Sequence, residues 1–218
     1  MLINEIYEDV RALSNKSQSG GYLKPSRFNL YLNMAQQETI DEVDRFAAHN
    51  RRVISLLSDV LKTQTASVDS IGMVDLPSDY YRYVDSNALY FDDGAFTPFP
   101  IDYVSKTERG ERLRSKIVDP TLKRPIATEG FSGLMVEPRQ INSIELTYIF
   151  SPPKAEWVGT NDVPPVFDPN ASTDLALGRE FKNIITAKVC GYFGIEIRDG
   201  ELVGATTKNL VEEFGITG

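Results

Sequence analysis

Near the N-terminus, apolar positions recur every three or four places. Ile3, Ile6, Val10 and Leu13 make one stripe of a short helix. It is expected to stop in "SNKSQSGG", where Ser14, Asn15, Ser17 and Ser19 compete for backbone hydrogen bonds and Gly20 and Gly21 permit positive φ. Pro25 fits the first turn of a second helix, where a missing N–H is no loss. Phe28, Leu32, Ala35, Val43, Phe46 and Ala47 fall on one of its faces. Asn29, Asn33, Gln36, Gln37, Glu38, Asp41, Glu42 and Arg45 fill the others, a hydrogen-bonding surface that suits water or a partner subunit equally well. Val53, Leu56, Leu57, Val60 and Leu61 predict another helix. A break near His49 and Asn50 would fold the two into a hairpin.

From Thr63 the period changes to that of short strands. "SIGMVDLPSDYYRYVDSNALYF" is rich in β-branched and aromatic residues around Pro77, and "LYF-DDG-AFTPF" reads as two strands about an Asp93-Gly94 turn. A charged segment follows, in which Gly110 weakens any helix. Strands are predicted over Pro125 to Thr128, Gly133 to Glu137 and the strongly alternating Ser143 to Phe150, which Pro152 and Pro153 terminate. Residues 151–171, rich in proline and carrying the lone Trp157, read as a connecting arm.

Helix is expected again from Ser172-Thr173-Asp174, any of which suits a cap, with Leu177, Phe181, Ile184, Ile185, Lys188 and Val189 on one face. Gly191 and Gly194 would end it or allow close packing, and Asp199-Gly200 would turn the chain into a last helix around "ELVGATTKNLVEEFG". Helices, then strands, then helices describe an α+β fold. Residues 1–62 and 172–218 would form one helical body, 63–150 an inserted, mainly antiparallel β region, and 151–171 the arm.

Composition supports an ordered chain. Its 218 residues are 41% hydrophobic and 25% charged, enough to bury a core without disulfide or metal. The single Cys190 reads as a buried small apolar residue in a reducing compartment. No apolar run reaches the roughly 18–20 residues that span a bilayer, and "MLINEIYEDV" carries acids where a signal peptide carries lysine or arginine. A net charge of −8 disfavours simple high-affinity binding of nucleic acid, although copies lining a channel would keep passing DNA from sticking.

No active site is legible, and no metal or cofactor is expected. His49 is the only histidine and reads as a solvated residue in a helix break. No Gly-x-Ser-x-Gly elbow or Gly-x-x-x-x-Gly-Lys loop occurs, and "GYFG" near residue 191 lacks both a following lysine and a preceding strand. Asp41, Glu42 and Asp44 read as a solvated helix surface, and Asp92 with Asp93 as hairpin chemistry. Lys106, Arg109, Arg112, Arg114 and Lys116, against Glu108 and Glu111, form the only basic patch. It reads as a solvated face, or as a dock for an acidic partner or a nucleic-acid backbone.

"NKSQSGGYLKPSRFNLYLNMAQ" resembles the N-terminal signature of virion proteins of crAss-like tailed phages: an asparagine-lysine loop, a glycine-tyrosine step and a proline-started Phe-Asn helix. "LPSDYYRY" resembles the same family's Leu-Pro-x-Asp-Tyr element, "RLRSKIVDPTLKRPIA" its Arg-x-x-Ser and Pro-Ile segment, and "MVEPRQINSIELTYIFSPPKAEW" its Pro-containing strand, Tyr strand and Pro-Pro-x-x-x-Trp exit. The resemblance implies a structural, non-enzymatic subunit of a head-tail connector in the virion neck, made in the cytoplasm of a bacterial host. Its partners would be further copies in a ring of about twelve, the portal protein, neighbouring neck or tail rings, and DNA passing through the channel without sequence-specific contact; no membrane is implied. The arm is the candidate for reaching a neighbour, with Pro152 and Pro153 leading to Trp157 as anchor. A packaging or regulatory factor using the 106–116 patch on nucleic acid, and a carboxylate-based tail hydrolase, are the alternatives.

Overall fold

The computed structural model describes residues 1–16, 24–47, 51–92, 95–130, 133–160 and 166–196. The expected loop at Ser17, Ser19, Gly20 and Gly21, the break at His49 and Asn50, both Asp-Gly turns and the last helix lie outside them. In chain order the elements are α1 (Leu2–Lys16), α2 (Pro25–Ala47), a 3-10 helix (Arg51–Val60), β1 (Leu61–Ser67), β2 (Met73–Asp75), β3 (Tyr80–Asp92), β4 (Ala95–Pro100), β5 (Asp102–Tyr103), α3 (Lys106–Arg112), β6 (Ile126–Glu129), β7 (Gly133–Glu137), β8 (Ser143–Phe150), a 3-10 turn (Arg179–Phe181) and α4 (Lys182–Glu196). The fold is α+β, with two mainly antiparallel sheets.

Two units share the chain. One comprises the residues up to Asp59 and those from Pro152 onward; the other is Val60–Ser151. The proline-rich stretch therefore belongs with the helices and is not a separate arm.

In the helical unit, α4 packs against both α1 and α2. The predicted apolar stripes meet in one core: Ile3, Ile6 and Val10 from α1, Phe28, Leu32, Ala35 and Val43 from α2, and Ile185 and Val189 from α4 are all buried. Phe46, expected on the apolar face of α2, is exposed instead, and Tyr31 and Ile40 are buried. Trp157 fills the centre. It is 1% exposed, stacks on Tyr7 with ring centroids 4.0 Å apart, and donates its indole N–H to Asn4 Oδ1 at 3.0 Å. Tyr7 also meets Phe28 edge-on at 5.0 Å.

Trp157 is held in place by the amides of α2. Asn29 Nδ2 donates to the Trp157 carbonyl at 3.0 Å, and the Trp157 N–H returns a bond to Asn29 Oδ1 at 2.9 Å. One turn on, Asn33 makes the same double contact with Ala155, at 2.8 and 2.9 Å. Gln36 Oε1 accepts from the Ala176 N–H at 3.0 Å. The opposite edge of the segment is paired too, since Glu156 exchanges backbone hydrogen bonds of 2.9 and 2.8 Å with Thr173. These amides are thus the internal fastening of the connector, not the solvent or partner surface expected of them.

Three helix boundaries differ from expectation. α1 continues through Ser14 and Asn15 to Lys16. The segment after Arg51 is a 3-10 helix that leaves helical geometry at Leu57 (φ −91°, ψ 17°), and Leu61 is already paired with Ile149 in a sheet. Three residues per turn align Leu57 with Val60, both buried, and leave Leu56 exposed. The C-terminal helix starts at Lys182, not near residue 172, because its expected caps are committed elsewhere. Ser172 Oγ binds the Val158 N–H and the Asp168 carbonyl. The Asp174 carboxylate accepts from the N–H groups of Leu2 and Ile3 at 2.9 and 2.8 Å, capping α1 from across the sequence. The face from Leu177 to Val189 is buried as predicted, and Gly191 and Gly194 lie within α4.

The β unit contains two four-stranded sheets, ordered β1-β8-β3-β4 and β2-β7-β6-β5. Every pair is antiparallel except β5 with β6. Alternation places Ile144, Leu146 and Tyr148 of β8 inward, where they join Ala88 of β3 with Val74, Ala127, Leu134 and Val136 of the second sheet in one core. β3 and β4 pair across the expected Asp-Gly turn, down to Asp92 against Ala95. Gly72 enters β2 with φ of 86°, and a Cβ there would sit 2.6 Å from the Val136 carbonyl oxygen, so only glycine fits. Beside β8, Asp79 accepts from Lys62 Nζ and, at 2.9 Å, from the Tyr148 hydroxyl. Its carboxyl is held below the usual carboxylate range, first by Lys62 and then by Tyr148, while burial pushes the Tyr148 hydroxyl up to about 12.

Two predictions test these arrangements. Trp157→Ala should cost about 3–5 kcal/mol, and Asn29→Ala, which strands two backbone groups, about 1–3 kcal/mol, both read by urea unfolding of the helical unit. A folded-state carboxyl pKa lowered by its partners stabilises the fold above the ordinary carboxylate range and ceases to do so as pH falls through the lowered value. The stability difference between the native chain and Asp79→Asn should therefore be full near neutral pH and close on acidification below about 3.9. A difference unchanged down to the acid limit would refute the role of Asp79.

Candidate functional site

The basic segment proposed from sequence folds as α3 and a loop after it. Ser105 caps α3, its hydroxyl accepting from the Glu108 N–H at 3.2 Å. Two of its arginines are engaged inside the unit. Arg109 Nη2 lies 2.7 Å from Glu137, a carboxylate at the end of β7 that is itself buried. Arg112 bridges Asp102 at 3.0 Å and Glu108 at 2.8 Å; the bond to Asp102, then that to Glu108, raises its already high pKa. Arg109 and Arg112 thus fasten α3 to the sheet, leaving Lys106, Arg114 and Lys116 exposed.

Beyond α3 the loop projects apolar side chains. Ser115 Oγ accepts from the N–H groups of Ile117 and Val118 at 3.2 and 3.3 Å, a local turn that directs both outward. Ile117 is 90% exposed, more than any other large hydrophobic residue described, and Val118 and Leu113 beside it are exposed as well. Arg114, Lys116, Lys123 and Arg124, neighbours along the chain, are exposed as well, with no ion-pair partner among the described residues. Thr121 and Arg124 close the return with reciprocal backbone bonds of 3.3 and 2.9 Å, and Leu122 packs onto the core. The result is a basic tip with an apolar crown.

The arm residues stand differently. Pro152 is half-buried and Pro153 exposed, but the side chain of Trp157 is enclosed by its own unit and cannot anchor a neighbour. A different surface emerges on the outer side of α2. Leu30 and Met34, 49% and 46% exposed, line a shallow groove with Gln37, Glu38, Asp41 and Arg45 of α2 and with Tyr192 of α4. The amide nitrogen of Gln37 is buried and has no hydrogen-bond partner among the described residues. Sequence reasoning missed this groove because Leu30 and Met34 fall off the predicted stripe, yet their four-residue spacing was the available signal.

Of the candidate carboxylates, Glu42 has structural work, which it shares with Glu38. Glu42 and Glu38 bind Lys188 Nζ at 2.9 and 3.3 Å, which explains how a lysine 5% exposed sits on the core face of α4. Tyr192 donates to Glu38; burial, then this bond, raises its hydroxyl pKa. Among the described residues no group of histidine, cysteine and carboxylate side chains is placed to hold a metal, and no helix is long and apolar enough to cross a membrane. Burial pushes the Cys190 thiol up to about 12, which removes its nucleophilic form at neutral pH.

No family model matches the chain, and no curated protein matches it. Cys190 should resist a thiol reagent at pH 8 in the folded chain and react fully in denaturant; rapid native labelling would place it outside the core.

Proposed function

We propose that this chain is a structural, non-catalytic subunit of a ring in the neck of a tailed phage, joining portal to tail around the DNA channel. The observation that carries the reading is the presence of two unlike exposed surfaces. One is the basic tip crowned by Ile117, the other the acid-rimmed apolar groove of α2. Unlike surfaces on one chain suit heterologous, head-to-tail contact, the kind that closes rings by rotation. The resemblance of "NKSQSGGYLKPSRFNLYLNMAQ" and the later landmarks to crAss-like neck proteins supplies the place of that ring. An acidic chain of net charge −8 suits a channel through which DNA must slide.

Arg114, Lys116, Lys123 and Arg124 favour a second reading, a packaging or regulatory factor that holds the nucleic-acid backbone through the tip. Imaging of purified virions, with this chain traced in the neck density, separates the two. A closed ring against the portal is the expected result. Absence from the particle, together with salt-sensitive DNA binding by the free chain, would replace the first reading with the second.

A further inference from the structure

We infer that the tip of one copy, residues 113–118, seats on the outer groove of α2 in the next copy, Ile117 and Val118 covering Leu30 and Met34. The inference rests on the ring reading and names its contact. Each surface offers what the other can cover: an apolar crown whose foremost residue is 90% exposed, and a shallow apolar groove. The charges are complementary. The groove and the turn after it carry Glu38, Asp41, Glu42 and Asp44 against Arg45 and the Lys188 that Glu38 and Glu42 bind, an acidic excess, whereas the tip and its return carry Arg114, Lys116, Lys123 and Arg124 against Asp119, a basic one. Each exposed apolar cluster alone is a liability for a soluble chain, and mutual burial removes both. Tip and groove are unlike surfaces, so a contact made once between two neighbours leaves a free tip at one end and a free groove at the other. Repetition then propagates until rotation closes it.

The occupant is a second copy of this chain, and cysteine pairs report it directly. The native thiol is buried, so Met34→Cys and Ile117→Cys introduce the accessible ones. The purified full chain carrying both substitutions, treated with a short bis-maleimide, should give a ladder of covalent dimers, trimers and longer species. Neither single variant should link to itself, because an off-axis contact brings unlike residues together. Ile117→Asp, at a position too exposed to disturb folding, should weaken association about 10- to 100-fold in sedimentation. Self-linking of either single variant would overturn the inference in favour of a two-fold contact. Oligomers without a mixed link would overturn the docking and leave the ring reading intact. A chain that stays monomeric at every concentration reached would also overturn the docking, and virion imaging would then decide the ring reading by itself.

Discussion

Two asparagines one helical turn apart act here as the edge of a strand. Four residues of α-helix advance about 6.0 Å, and two residues of extended chain about 6.6–6.8 Å. Asn29 and Asn33 therefore meet the backbone of residues 157 and 155 in step, each giving one donor and one acceptor. The helix runs antiparallel to the segment it holds. Because Thr173 pairs with the other edge, the peptide groups around Trp157 are satisfied on both sides, and an extended chain can enter a helical core without stranding polar atoms. That is the condition for placing the indole between Tyr7 and Phe167. Without the amide pairs, a proline-rich connector would have to run over the surface.

Charge follows a similar division of labour. Where it is buried it is paired: Lys188 with Glu38 and Glu42, and Arg109 with Glu137. Each pair fixes one element against another, α4 on α2 or α3 on the sheet, and adds orientation more surely than net stability. At the exposed tip the balance is basic, with Arg114, Lys116, Lys123 and Arg124 against Asp119. A chain with a large negative total can therefore still present a local positive surface.

Much of this was legible in the residues. The period of three and four located α1, α2 and the buried face of α4; strict alternation in Ser143 to Phe150 located β8 to the residue; and the order of periods indicated α+β. The failures share one cause. Asp174 and the amides of α2 satisfy partners far away in sequence, which no local pattern reveals. Asp174 looks like the cap of the helix that follows it and is instead the cap of the first. The surfaces were half visible: the basic run was plain, but the cancellation of Arg109 and Arg112 depends on Glu137 and Asp102, which only folding brings near. Trp157 was recognised as an anchor, and the object it anchors turned out to be its own chain.

The cap on α1 also sets an order of events during synthesis. The carboxylate that receives the N–H groups of Leu2 and Ile3 is translated some 170 residues after them. When Ser151 leaves the ribosome, the β unit is complete and contiguous, whereas α1 and α2 still lack the tryptophan, the cap and the third helix that close their core. The middle of the polypeptide is thus able to mature before its beginning. A nascent chain that ends between Ser151 and Trp157 would carry the complete β unit preceded by two amphipathic helices that still lack α4.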